Sequence, residues 1–343
     1  MNSDPALNPD PTLIPTEPSA PVPPPPLHKI FIGRDGLRAG WGLLIFIGLF
    51  AALLFATSLI AHKINPHAPK APKSEISVKA SFIRESIPLI AVLLVTWIMS
   101  RIERRPISVY GLGGGRKLAR FLAGLAWGVV CLSLLVAILW KSGLLVIDRR
   151  LLFGGDILRY GAMWLLGFLL VGLLEEYLTR GYIQYTLTRG LAGLYQWTFK
   201  TRHSAALGFW TSAVICSIVF GLGHSNNPGE SPIGLLSAGL AAMVFCLSLW
   251  RTGALWWAIG FHASWDWSQS FLYGVADSGT MVPHLLLATH PVGKPILSGG
   301  TTGPEGSIFV VAIEALICLI ILFTLSRDRQ VDTTVVEMPE QST

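Results

Sequence analysis

The chain has 343 residues, 52% hydrophobic and only 13% charged, against about 25% charged in a soluble domain. A mean hydropathy of +0.56 and recurring apolar runs exclude an ordinary soluble domain and point to a multi-span α-helical membrane protein. The net charge of +6 does not indicate a nucleic-acid partner. Its basic residues crowd beside apolar runs, as in Arg101, Arg104, Arg105, Arg116, Lys117 and Arg120, where they favour the cytoplasmic side and anionic headgroups.

Residues 1–27 hold ten prolines. They predict a Pro-rich, disordered cytoplasmic tail, without the basic and apolar regions of a signal peptide. A helix needs roughly 20 apolar residues to cross a bilayer. Such runs predict eight spans, at 39–61, 83–100, 121–140, 157–178, 205–224, 233–250, 253–273 and 307–325. The first two, with their loops, form an N-terminal region at 28–104. A core follows at 105–326, and 327–343 is a C-terminal cytoplasmic tail. Eight spans put both termini on one side, which collects 15 Lys and Arg against 10 on the other, leaving Arg180 aside. The positive-inside rule makes that side the cytoplasm of a multi-pass cell-membrane protein.

The connection at 225–232, SNNPGESP, reads as a short turn. The one at about 274–306 is long and Gly-rich, and reads as a connector rather than a flap. Cys131, Cys216, Cys246 and Cys318 all lie in apolar runs without a CxxC pair. They read as buried small hydrophobes, not disulfides or zinc ligands.

Charged and imidazole groups break the apolar pattern at three places. Glu175, Glu176 and Arg180 end the fourth span, with Glu176 and Arg180 one helical turn apart. His224 ends the fifth, one turn after Phe220. His262 and Asp266 are again one turn apart, inside the seventh. An acid or arginine at a helix centre costs on the order of 2.5–3.5 kcal/mol in lipid, so these groups must face the bundle interior and pair. Glu176 and Arg180 form the obvious pair, leaving Glu175 and Asp266 to meet His224 and His262 across the bundle. Glu314, alone in the eighth span, reads as a helix–helix hydrogen bond or a short polar seam.

Carboxylates and imidazoles in a poorly solvated cavity suit hydrolysis. They can activate a water directly, or bind a Zn²⁺ that does so. Signatures of other intramembrane proteases, HExxH, GxSG and GxGD, do not occur.

The order EExxxR, FxxxH, HxxxD, carried by Glu175, Glu176 and Arg180, then Phe220 and His224, then His262 and Asp266, resembles the CPBP family. These are the CAAX-processing and bacteriocin-related intramembrane proteases, also called the ABI family and including lysostaphin-resistance-like proteins. The resemblance covers about residues 105–325. It implies an all-α membrane fold of about eight helices around a polar cavity, and endopeptidase activity. Eukaryotic relatives remove the last three residues of prenylated CaaX proteins. By the same resemblance Glu175 and His224 activate water, His262 and the residue at 266 hold the oxyanion, and Glu176 and Arg180 order the first motif helix. The family's prenyl-protein proteases usually carry Asn at the last position, where this chain has Asp266, and an ionised Asp cannot donate to an oxyanion. Asp266 would have to be protonated, orient His262 or ligate a metal, so zinc and a metal-free mechanism both stay open.

The expected partners are a protein or peptide substrate, lipidated or membrane-embedded, and the lipid bilayer. Two rival functions use the same residues. One is a non-proteolytic scaffold, immunity or regulatory protein whose cavity only binds. The other is a transporter or proton relay, although no internal repeat supports it.

Overall fold

The computed structural model describes residues 28–33, 36–66 and 78–327. The proline-rich tail, and the C-terminal tail beyond Arg327, lie outside the described residues. The segment up to Arg38 is a unit of its own. Its described part is a helical turn, His28–Phe31, and a short antiparallel pair, Ile32–Gly33 with Gly36–Leu37.

From Ala39 onward the chain is a bundle of helices: α1 Ala39–Ile64, α2 Val78–Glu103, α3 Lys117–Lys141 and α4 Gly155–Glu176. Then come α5 Gln184–Phe199, α6 Ser204–Gly223, α7 Pro232–Thr252, α8 Trp256–Trp267 and α9 Phe309–Thr324. Two strands outside the helices, β1 Leu145–Arg150 and β2 Leu287–Pro291, pair antiparallel with an irregularity at Ile147/Arg149. The chain is thus a multi-pass, all-α membrane protein.

Among the described residues six helices are long and apolar enough to cross a membrane. The other two expected spans are helical but shorter. α8 extends to Leu272 only through a π-helical stretch, Ser268–Leu272, and α9 has 16 residues. α8 is walled by protein on most sides, so it needs little lipid-facing length. The fourth span departs from expectation in the other direction. It does not stop near 178 but continues through a π-helical stretch, Tyr177–Ile183, into α5, making 45 helical residues in all. Arg180, taken to close the span, and the polar residues Gln184 and Thr186 beyond it are all buried.

Glycines set the helix crossings. A Cβ on Gly124 would strike the Trp257 carbonyl, one on Gly128 the Ser264 hydroxyl, and one on Gly260 the Phe121 carbonyl. The GxxxG face of α3 and Gly260 of α8 therefore pack backbone to backbone, as small residues do where no hydrophobic force separates helix from lipid. Around this crossing sits the main core, with Leu132, Leu135 and Leu139 of α3, Phe245 of α7, Trp257 and Phe261 of α8, and Ile313 and Ile317 of α9. Large apolar side chains on the outer faces, such as Phe55, Trp97, Leu166 and Phe323, are exposed, as a lipid-facing surface requires.

α7 shows how local sequence sets an end. Pro232 occupies its first turn, the Ser231 hydroxyl accepts from the Gly234 N–H at 3.1 Å, and Gly253 closes it at φ 64°. These are the cap residues helices favour.

A second polar cluster lies beside α1. Glu103, buried at the end of α2, accepts a 2.5 Å hydrogen bond from the Tyr182 hydroxyl. It also pairs with Arg105 at 3.5 Å and Arg189 at 3.4 Å. Gly42 of α1 leaves room for this cluster, and Phe46 stacks on Tyr182 at 4.3 Å between ring centroids. The arginines beyond α2 thus serve partly to neutralise a buried acid, besides any contact with headgroups.

Candidate active site

α4 meets α8 closely because Gly172 has no side chain. A Cβ there would lie 3.2 Å from the Ile259 carbonyl and the Ala263 nitrogen, and 3.5 Å from the His262 Cβ. One turn further along α4 come Glu175 and Glu176, so the notch delivers both carboxylates to His262. π-helical stretches follow directly after Glu176 and shortly after Asp266. Such insertions recur at functional sites, because the added residue re-aims the side chains around it.

Glu176 is the hub. It is fully buried, and its Oε1 accepts from Arg180 Nη1 at 2.7 Å and faces His262 Nδ1 at 2.9 Å. The Arg180 guanidinium lies 4.7 Å from the Phe220 ring centre and 5.4 Å from that of Phe245. It is thus held by one carboxylate and two aromatic rings. The paired carboxylate only accepts, so His262 Nδ1 carries the hydrogen. That leaves His262 Nε2 toward Asp266 Oδ2 at 3.5 Å and Glu175 Oε2 at 3.8 Å. Phe245 stacks on the same imidazole at 5.6 Å.

His224 is fixed differently. Its Nδ1 lies 2.8 Å from the Phe220 carbonyl, which can only accept. Nδ1 is therefore the protonated nitrogen, and Nε2 of the neutral ring keeps a lone pair. The Phe220 ring sits 4.9 Å from that of His224 and 6.4 Å from that of His262. Phe220 thus touches both imidazoles and the arginine. The partners anticipated for the imidazoles divide unequally: His262 gathers all three acids, while His224 is set by backbone and an aromatic ring.

Glu175, His224, His262 and Asp266, with Phe220 and Phe245, line one cavity of about 190 Å³, while Glu176 and Arg180 lie behind it. The Glu175 side chain is 32% exposed, against none of Glu176, so Glu175 is the carboxylate that a substrate can reach.

The connection after α8 is more than a connector, because Asp277, Ser278, Thr280 and Glu305 from it line the same cavity. The Ser278 hydroxyl donates to Glu305 at 2.9 Å and the Ser278 N–H donates to the same oxygen. Thr301 and Thr302 donate to the Gly229 carbonyl at 2.8 and 3.1 Å. Gly279, at φ 78°, abuts the Pro228 carbonyl where a Cβ would collide. The length and glycine content that suggested slack instead serve close packing against the 225–232 turn. Burial pushes the Asp277 carboxyl well above the usual carboxylate range, helped by Asp266, Glu305 and Glu175.

Glu314 makes the expected helix–helix bond, accepting from the Ser237 hydroxyl of α7 at 3.0 Å, and it also lines the cavity. The four cysteines are free, three buried and Cys318 half-buried. The residues that sequence reasoning missed include Phe245, Gly172, Glu85 and the acids of the 274–306 connection. Glu85 carried a signal as a charge at the start of the second span, and the connection carried one as two acids among glycines and prolines.

Zinc was one of two readings of this donor set. Among the described residues no group of three or more His, Cys, Asp or Glu is arranged to hold a metal ion. The donors as arranged do not fit a resident metal, so the chemistry is derived from the side chains alone.

Residues 158–268 match the family model described as Type II CAAX prenyl endopeptidase Rce1-like. The matched stretch contains all three motifs, from Glu175 to Asp266. It supports a CPBP-family intramembrane protease. Neither the curated proteins nor the solved structures gave a match.

Proposed function

We propose, from the Rce1-like domain that this chain carries, that it is an intramembrane endopeptidase in which Glu175 and His224 activate a water for attack on a peptide carbonyl. The observation that carries this is the shared cavity: an accessible carboxylate, an imidazole with a free Nε2 lone pair and a second imidazole fixed by acids border one space. Poor solvation strengthens every electrostatic contact made to the transition state.

In this reading Glu175 takes the proton of the attacking water while His224 Nε2 orients it. His262, protonated on both nitrogens in this reading, shares its Nε2–H between Asp266 and the oxyanion as it forms. Asp266 aligns that imidazole, a role open to an ionised acid. Glu176 and Arg180 hold His262 and the end of α4 in place. As the tetrahedral intermediate collapses and the C–N bond breaks, the proton taken by Glu175 passes to the leaving amine, and the Glu175 carboxylate is restored. Both termini lie in the cytoplasm of the cell membrane, and the substrate is a peptide segment, lipidated or membrane-embedded.

The test compares chain termini in membranes holding wild-type protein with those holding Glu175→Ala or His224→Ala. New termini present only with the wild type are expected. Identical termini in all three, with each variant folded and in the membrane, would favour a protein whose cavity binds without cutting.

A further inference from the structure

α2 borders the catalytic cavity near its start, through Ser81, Arg84 and Glu85. Its other end borders a second recess, which the proposed chemistry does not use. Glu85 and Arg101 stand about 24 Å apart along the helix. The recess has a volume of about 640 Å³, and its lining includes Trp97, Ser100, Arg101, Arg104, Arg105 and Ile107. Three of these are arginines, and among the described residues of the lining there is no acid.

The arginines are not equivalent. Arg105 is shared with Glu103 at 3.5 Å and with the Tyr185 hydroxyl at 3.4 Å. Arg101 and Arg104 are exposed, and the Arg101 guanidinium lies 5.4 Å from the Trp97 ring centre. The charge that can meet an anion thus rests chiefly on Arg101 and Arg104. The chain turns back at Arg104, whose φ of 55° is the position after a helix where glycine is usual. Arginine there carries a backbone cost that glycine avoids. The Arg105 N–H donates to the Ser100 carbonyl at 3.0 Å, and the Ser100 hydroxyl donates to the Arg105 carbonyl at 2.8 Å. These bonds occupy carbonyls at the helix end, whose partial negative charge otherwise opposes an anion.

A separate observation says what kind of anion fits. Ile90, Leu94, Trp97 and Arg101 follow one another at helical spacing, so they share one face of α2, and all four are exposed. From Ile90 to Arg101 the helix rises about 16 Å. That is close to half of a hydrocarbon core about 30 Å thick. An apolar stripe as long as one leaflet therefore ends in the recess, with Trp97 at the level where tryptophan favours the interface. A free phosphate has use for the arginines alone, whereas a lipid has use for the arginines and the stripe.

We infer that the recess binds the phosphate headgroup of one anionic phospholipid, with an acyl chain along the Ile90, Leu94 and Trp97 face. Arg101 and Arg104 donate to the phosphate oxygens, for which the guanidinium fork is suited. Basic pockets beside membrane helices hold such headgroups. The site shares no lining residue with the catalytic cavity and does not depend on the endopeptidase reading.

The test titrates the purified full chain in detergent with dioleoyl phosphatidylglycerol or dioleoyl phosphatidylcholine, and counts bound lipid by native mass spectrometry. One phosphatidylglycerol is expected to bind each chain more tightly than phosphatidylcholine does, and equimolar inorganic phosphate is not expected to displace it. Arg101→Gln/Arg104→Gln is expected to lose about tenfold or more of that affinity, the size of one charge-assisted hydrogen bond. Arg116→Gln/Lys117→Gln removes equal charge from the exposed start of α3 and is expected to leave binding nearly unchanged. Equal binding of the two lipids, or equal loss in the two variants, shows a diffuse attraction of headgroups and overturns the site. Displacement by equimolar phosphate overturns the lipid assignment. If the glutamine pair does not accumulate, Arg101→Lys/Arg104→Lys replaces it, keeping the charge but not the fork. A several-fold loss is then expected, and unchanged affinity overturns the proposal.

Discussion

Glu176 Oε1 and His262 Nδ1 stand 2.9 Å apart, joining α4 to α8 in the middle of the bundle. The contact exists because Gly172, one turn earlier, lets the helix backbones meet. The same oxygen takes Arg180 at 2.7 Å, so one buried acid fixes an imidazole and a guanidinium together.

Glu175 and Glu176 are adjacent, yet their substitutions are expected to differ in kind. Glu176→Ala strands Arg180 in the protein interior, which costs about 3–5 kcal/mol. Glu175→Ala changes an accessible side chain and is expected to cost less than about 1 kcal/mol while abolishing cleavage. Thermal unfolding of the two purified variants, read beside their activity, distinguishes the roles. Equal destabilisation would show that Glu175 is also structural.

Gly172→Ala is expected to slow turnover far more than it weakens substrate binding. The new Cβ would sit 3.2 Å from two backbone atoms of α8, and relief requires the helices to part slightly. Overpacking of this kind costs about 1–3 kcal/mol in stability. A misplacement of about 1 Å can cost 10²-fold in rate. The check is a fall in kcat with KM nearly unchanged. A rise in KM at constant kcat would place the notch in binding instead.

Asp277→Asn is expected to stabilise the protein at neutral pH. The native carboxyl titrates well above its ordinary value of 3.8, chiefly through burial. A raised acid pKa means that the unfolded chain gives up this proton first. Stability is therefore full below the ordinary value and is lost as pH rises toward the native one. Asparagine removes the loss. Unfolding curves should coincide at acid pH and separate, with the variant more stable, toward neutrality. A variant less stable at neutral pH would reverse this account of Asp277.

Chelation is expected to leave cleavage unchanged, because the described acids and imidazoles hold one another rather than an ion-binding group. Activity measured before and after dialysis against a strong chelator checks this. Loss on dialysis with recovery on adding zinc would return the metal reading.

The parts of the site legible in the sequence were those that lipid penalises. Glu175, Glu176, Arg180, His262 and Asp266 stood out because charge within apolar runs has a cost that only an interior position relieves. The i,i+4 pairing of Glu176 with Arg180, and the bond that Glu314 makes, followed from the same reasoning. Gly172 gave no such signal, since a glycine in an apolar helix looks alike whether it meets lipid or another backbone. The π-helical stretches were equally silent, so nothing in the sequence shows that the helix runs on past Arg180 into α5. Asp277 and Glu305 lay in a connection where acids cost nothing by themselves. Only tertiary packing of glycines and threonines against the 225–232 turn brings them to the cavity.

The central claim is that Glu175 and His224 act on one water. It is tested most directly by the rates of Glu175→Ala, His224→Ala and the variant with both changes. Residues that act as a unit are non-additive, so the double variant should cleave no more slowly than the slower single variant. A double variant slowed by the product of the two single effects would mean that the residues act independently, and an active Glu175→Ala protein would remove the proposed base altogether.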